Sequence, residues 1–97
     1  MSNSRSFDFD KYAGIFKALG HPVRLRMAVG LSHHECNVNK IVEQLGLPQS
    51  TVSQHLAVLK NRGIVLPRKE GVCTCYRVVD NRVKRILEHL TMPGVNK

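Results

Sequence analysis

Residues 45–66 read LGLPQSTVSQHLAVLKNRGIVL, and the punctuation of this stretch decides the fold. Gly46-Leu47-Pro48 breaks one helix and opens another. Gly46 can take a left-handed C-cap, and Pro48 suits a helix start. A long helix is predicted from Gln49 to Asn61, with Val52, Leu56 and Leu59 as its buried stripe. Gly63 closes it, and Ile64-Val65-Leu66 is β-branched and strand-like. With the stripe turned inward, Gln49, Ser50, Ser53 and Gln54 point outward. An ordinary exposed helix face carries Glu and Lys. This one carries hydroxyls and amides, with no charge until Lys60.

Working outward, the pattern N-terminal to this helix is helical. Asp8 and Asp10 are candidate N-caps of a helix running to about Leu19, with Tyr12, Ile15, Phe16 and Leu19 on one stripe. Gly20 ends it. His21-Pro22 opens a second helix that fades at Ser32-His33-His34-Glu35. A third helix is predicted from about Asn39 to Leu45. C-terminal to the long helix, Lys69-Glu70-Gly71 reads as a turn and Val72 to Val79 as a returning strand. Asp80 or Asn81 caps a last helix with Val83, Ile86, Leu87 and Leu90 at helical spacing, and Pro93-Gly94 ends it. Two helices joined by a tight Gly-containing turn form a helix-turn-helix, and a hairpin directly after the second is a wing. The expected fold is therefore mainly α with a β-hairpin wing. It is one winged helix-turn-helix domain over residues 1–97, with 1–7 and 92–97 as flexible tails.

Length and composition narrow the function. Ninety-seven residues make one small domain, too short for a large enzyme with a deep cleft. The 42% hydrophobic content supports a core and excludes a disordered tail. No apolar run approaches the roughly 18 residues of a membrane span, and no secretory signal is visible at the N-terminus. An odd count of 3 cysteines then points to free thiols in a reducing cytoplasm. The net charge of +8 points to a polyanionic partner. Most of that surplus falls between residues 49 and 85, where eight basic side chains face only Glu70 and Asp80.

Double-stranded DNA fits this division of labour. Gln can pair bidentately with adenine, and Ser or Thr can bond a base or a phosphate. The expected DNA-binding set is Gln49, Ser50, Thr51, Ser53, Gln54, His55 and Lys60 on the long helix, with Arg68 and Lys69 flanking the wing turn and holding phosphate. His55 lies beside the buried stripe and is read as a packing or phosphate-contacting residue. A non-specific architectural or RNA-binding protein is the competing class. It would show exposed aromatics for stacking, whereas only 2 Tyr and 3 Phe occur here.

Three segments resemble the ArsR/SmtB family of bacterial repressors. They are Ala18-Leu19-Gly20-His21-Pro22-Val23-Arg24-Leu25-Arg26, the stretch Leu45 to Leu56, and Leu59-Lys60-Asn61-Arg62-Gly63-Ile64-Val65. The wing ending at Tyr76-Arg77-Val78 fits as well. The resemblance covers roughly residues 12 to 90. It implies a cytoplasmic repressor that pairs through its first and last helices and binds a palindromic operator as a homodimer. Many members release DNA when a metal, metalloid or thiol oxidant binds. The amphipathic stripes of those two helices agree with pairing, since Tyr12, Ile15, Phe16, Leu19, Val83, Ile86, Leu87 and Leu90 need burial. Two recognition helices about 34 Å apart then enter successive major grooves.

The signal is open at this level. The family's Cys-Val-Cys pattern is matched here by Asn37-Val38-Asn39, with Cys36 just ahead. Its zinc pattern on the last helix is matched by Asp80, Glu88 and His89, without the Asp-x-His start. Neither is intact. Cys73 and Cys75 share a strand face, with Tyr76 and Val78 opposite, toward the core. A short strand at Cys36-Asn37-Val38 pairing with the second wing strand would bring Cys36 near them. Three thiolates suit a soft ion such as arsenic, cadmium, mercury or zinc, and an oxidising signal could modify the same groups. The alternative is that the cysteines only pack, giving a regulator without a ligand. No cofactor is required, and His33, His34 and Glu35 read as a solvated polar patch.

Overall fold

Side-chain caps set where most of the helices begin. The protein's structure is a computed structural model that describes residues 6–92. Asp8 accepts from the Lys11 N–H at 2.9 Å and starts α1, Phe9–Leu19. His21 Nδ1 accepts from the Val23 N–H at 3.1 Å ahead of α2, Pro22–His33. Asn37 accepts from the Lys40 N–H at 2.8 Å and starts α3, Val38–Leu45, one residue before the predicted start. Asp80 accepts from the N–H groups of Arg82 and Val83 at 2.9 and 3.0 Å and starts α5, Asn81–Leu90. Only α4, Gln49–Asn61, has no side-chain cap, because Pro48 stands at its N-cap. Gly46, between α3 and α4, takes the left-handed φ of 67° that the turn requires.

Three strands complete the chain in the order β1-β3-β2. They are β1, Cys36–Asn37, β2, Val65–Glu70, and β3, Cys73–Val78. The short strand ahead of α3 does pair with the second wing strand, with Cys36 opposite Tyr76 and Asn37 opposite Cys75. The wing turn is shifted from its predicted place. β2 runs on to Glu70, so Lys69 and Glu70 pair with Thr74 and Cys73, and only Gly71 and Val72 make the turn. Gly71 has φ 60° and no other residue type has positive φ among the described residues, which is the pattern of a type II′ hairpin. Val72 stands wholly exposed at the tip.

One core joins all five helices and the sheet. Ile15, Leu59, Ile64, Val52 and Val65 are fully buried, with Met27, Leu31, Ile41, Leu56, Val78, Val83 and Leu87 around them. Val52, Leu56 and Leu59 are the inward stripe of α4, as their spacing predicts. Phe7 stands just ahead of α1. Its ring stacks on Tyr12 at 5.1 Å and lies under the Arg82 guanidinium at 5.3 Å. The Met92 N–H still bonds the His89 carbonyl at 3.2 Å. The rest of both expected tails, with Pro93-Gly94, lies outside the described residues.

Candidate nucleic-acid interface

The stripe that buries α4 also aims its other face. Gln49, Ser50, Ser53 and Gln54 are exposed together along the first half of the helix. Thr51 and His55 are half-buried at its margin and do not share that open face. The His55 ring packs on His21, at 4.7 Å between centroids. Burial, with help from His21 and Arg24, pushes the pKa of His55 down. His55 thus packs α4 against the start of α2.

The wing separates its two basic residues by strand alternation. Lys69 shares a sheet face with Val65, Tyr76 and Val78, the face turned toward the helices. Arg68 lies on the opposite face. Its Nε and Nη2 donate to the two Glu35 oxygens at 3.0 and 2.6 Å, and Nη2 also lies 3.2 Å from Glu70. Glu35, ahead of β1, lies 3.8 Å from Arg77 as well. The Glu35 hydrogen bond, then its charge, hold the Arg68 pKa above its ordinary value. The expectation that Arg68 holds DNA phosphate meets a guanidinium whose fork is already filled by a carboxylate. Sequence reading missed this role of Glu35, because nothing local to His34-Glu35 points 33 residues ahead.

The same alternation dissolves the expected three-cysteine centre. Cys36 pairs with Tyr76, so it lies on the core face and packs against the buried cluster. Cys73 and Cys75 lie on the outer face with Arg68, Glu70 and Arg77. Among the described residues no three His, Cys, Asp or Glu side chains gather into a set that could hold a metal ion. Within one chain the three cysteines therefore do not form a single cluster. The two outer cysteines also differ: Cys73 is exposed and Cys75 half-buried. Burial, then the Glu70 and Glu35 carboxylates, push the Cys75 thiol pKa up and disfavour its thiolate. His33 is a surface tie, with Nε2 3.0 Å from the Thr91 hydroxyl.

The eight residues expected at a dimer interface divide in two. Ile15, Leu19, Val83 and Leu87 are buried in the chain's own core and are not free to meet a partner. Tyr12 is half-buried and donates its hydroxyl to Asp80 at 2.7 Å. That bond is the main cause of the raised Tyr12 pKa. Burial alone would raise the pKa of Asp80. The N–H of Val83, the Tyr12 hydroxyl and the N–H of Arg82 outweigh it and hold the carboxyl below its ordinary value. Phe16, Ile86 and Leu90 remain exposed, and Phe9 and Met92 join them. Helical spacing could have found Phe9, which lies seven residues before Phe16.

A helix-turn-helix whose second helix shows a polar uncharged face, followed by a paired wing, defines a DNA-binding transcriptional regulator and not an enzyme. The chain belongs to the ArsR family. Residues 21–66 match the model for bacterial regulatory proteins of the arsR family. An HTH-type transcriptional regulator of Methanocaldococcus jannaschii is 46% identical over 82% of this chain and 91% of its own length. The crystal structure of the transcriptional repressor PagR of Bacillus anthracis superposes with a TM-score of 0.77 at 33% identity, covering 84% of this chain and 93% of that one. The homodimeric winged helix-turn-helix DNA-binding domain of Mb0332 from Mycobacterium bovis gives 0.77 at 31% identity, over 93% of this chain and 91% of that one. No helix among the described residues is long and apolar enough to cross a membrane.

Proposed function

We propose that the chain is a cytoplasmic repressor that binds a palindromic operator in double-stranded DNA as a homodimer. The observation that carries this reading is the open, uncharged face of Gln49, Ser50, Ser53 and Gln54 on a helix packed from behind by Val52, Leu56 and Leu59. Amides and hydroxyls there suit base edges in the major groove. Lys69 supplies attachment from the wing in place of Arg68. Homodimer formation is supported by the exposed Phe9 and Phe16 on α1 and by Ile86 and Leu90 on α5, apolar surface that a second copy would cover. It is also what the M. bovis relative's description says of that protein.

The test is a mobility shift with duplex from upstream of the chain's own gene, against random duplex at the same salt. The expected preference for the upstream duplex is about 10³-fold or more. Equal affinity for both would favour the non-specific architectural reading. Phe16→Glu with Leu90→Glu should sediment as a monomer and lose the upstream preference.

Any signal read through thiols belongs to the outer pair. With Cys36 on the core face, Cys73 and Cys75 stand next to the Arg68–Glu35 tie that fixes the wing. An oxidant should lower operator affinity reversibly, and Cys73→Ser should abolish the response. Unchanged affinity in oxidant leaves a regulator without a thiol signal.

A further inference from the structure

One side of α4 runs on from Ser53, the reading residue nearest the wing, which can bond a base or a phosphate. Ser53, Ala57 and Lys60 lie at i, i+4 and i+7, on one side of the helix. Opposite them stand Val38, at the start of α3, and Tyr76, on the wing. With Leu56 these residues line a recess of about 170 Å³ between the recognition helix and the wing. The small side chains of Ser53 and Ala57 keep it open. Three of the lining residues carry polar groups, the Ser53 hydroxyl, the Lys60 ammonium and the Tyr76 hydroxyl. No carboxylate lines it.

Each of these groups is available. Ser53 and Lys60 are exposed, and Lys60 makes no ion pair among the described residues. The Tyr76 ring packs against the core. Its hydroxyl has no protein partner among the described residues, yet no buried side-chain oxygen there lacks one, so the hydroxyl reaches solvent. One cation with two hydroxyl donors matches a phosphodiester, which carries one negative charge and two non-bridging oxygens.

Docking geometry supplies the occupant. If α4 enters a major groove and the wing reaches the neighbouring minor groove, one sugar-phosphate strand separates the two. That strand must cross the join between helix and wing, where the recess lies. We propose that the recess clamps one backbone phosphate of the bound DNA, with Tyr76 donating its hydroxyl, Lys60 opposing the charge and Ser53 completing the set. The clamp rests on the operator-binding reading above. It moves Tyr76 from a core residue to a binding residue.

Tyr76→Phe keeps the packed ring and removes only the donor. Its unfolding midpoint in urea should match the parent. Its affinity for the upstream duplex and for random duplex should fall by the same factor, about a hundredfold, the size of one hydrogen bond to a charged acceptor lost from each protomer of the dimer. Its salt dependence should be unchanged. Lys60→Gln should lower the slope of log affinity against log salt by about 1.8, one phosphate's worth from each protomer of the dimer. Replacing backbone phosphates one at a time by uncharged methylphosphonate should find a position that weakens the parent and leaves the Tyr76→Phe, Lys60→Gln double variant unaffected. If Tyr76→Phe binds both duplexes like the parent, or loses only the upstream preference, the clamp is wrong while the operator reading stands. A parent that binds no duplex overturns both.

Discussion

The recognition helix and the wing are two halves of one proposed surface, and they are built in opposite ways. α4 rests on three side chains that are at most 3% exposed, and its outer face carries no charge until Lys60. Within the wing strands only Val65 and Val78 are buried, and its charges are partly cancelled by Glu35 and Glu70. The helix is positioned by packing, whereas the wing is positioned by strand pairing and an ion-pair tie. Packing fixes where amides and hydroxyls sit, while the tie engages one of the wing's cations. Arg68 is paired with Glu35 and Glu70, and Lys69 makes no ion pair among the described residues.

The largest effect that would sharpen this contrast is on stability. Leu59→Ala should cost about 2–5 kcal/mol by urea unfolding, since a fully buried leucine leaves a cavity. Val72→Ala at the wing tip should stay within about 0.5 kcal/mol. Similar losses at the two sites would break the distinction between a packed helix and a paired wing.

Next comes base reading. Gln54→Ala should remove about 1–3 kcal/mol of preference for the upstream duplex over random duplex, with non-specific affinity nearly unchanged. A uniform loss on both duplexes would make Gln54 a phosphate contact instead.

Releasing the wing tie tests the other half. Glu35→Gln with Glu70→Gln frees the Arg68 guanidinium, so affinity for random duplex should rise and the salt slope steepen by about 0.9 for each phosphate gained. Stability should change little, because this pair is part-exposed. An unchanged salt slope would mean that Arg68 stays away from DNA even when unpaired.

The smallest effect concerns His55. Its folded pKa lies below the ordinary histidine value, so the unfolded chain takes up the proton first as pH falls. Its contribution is complete at neutral pH and is lost as pH drops below about 6.5 toward the folded pKa. His55→Gln should flatten that part of the stability profile measured by urea unfolding. An unaltered profile would remove His55 from the account.

The two halves were unequally legible for the same reason. α4 was bounded correctly at Gln49 and Asn61 because helical periodicity and Gly/Pro punctuation are local signals. The wing depends on register, and a shift in the turn from Lys69-Glu70-Gly71 to Gly71-Val72 is invisible without the partner strand. Register also decided the cysteines. That β1 would pair with β3 was foreseeable, but which face Cys36 takes follows from its pairing with Tyr76 and not Cys75. The dimer stripe divided, with Phe16, Ile86 and Leu90 exposed and Ile15, Leu19, Val83 and Leu87 buried, for a different reason. Periodicity shows that Ile15 and Leu87 are buried, but it cannot say whether the cover is the same chain or another.

The missing cap on α4 has a consequence in hydrogen exchange. The first backbone bond of that helix runs from Val52 to Pro48, so the amide hydrogens of Gln49, Ser50 and Thr51 have no acceptor in the helix ladder and no cap. They should exchange quickly in the free protein, and the first turn should fray more readily than that of its capped neighbours. DNA held at this end would slow them. The end of α4 proposed to read bases thus has fewer bonded amides than the starts of its capped neighbours, and on that reading binding and local ordering become one event.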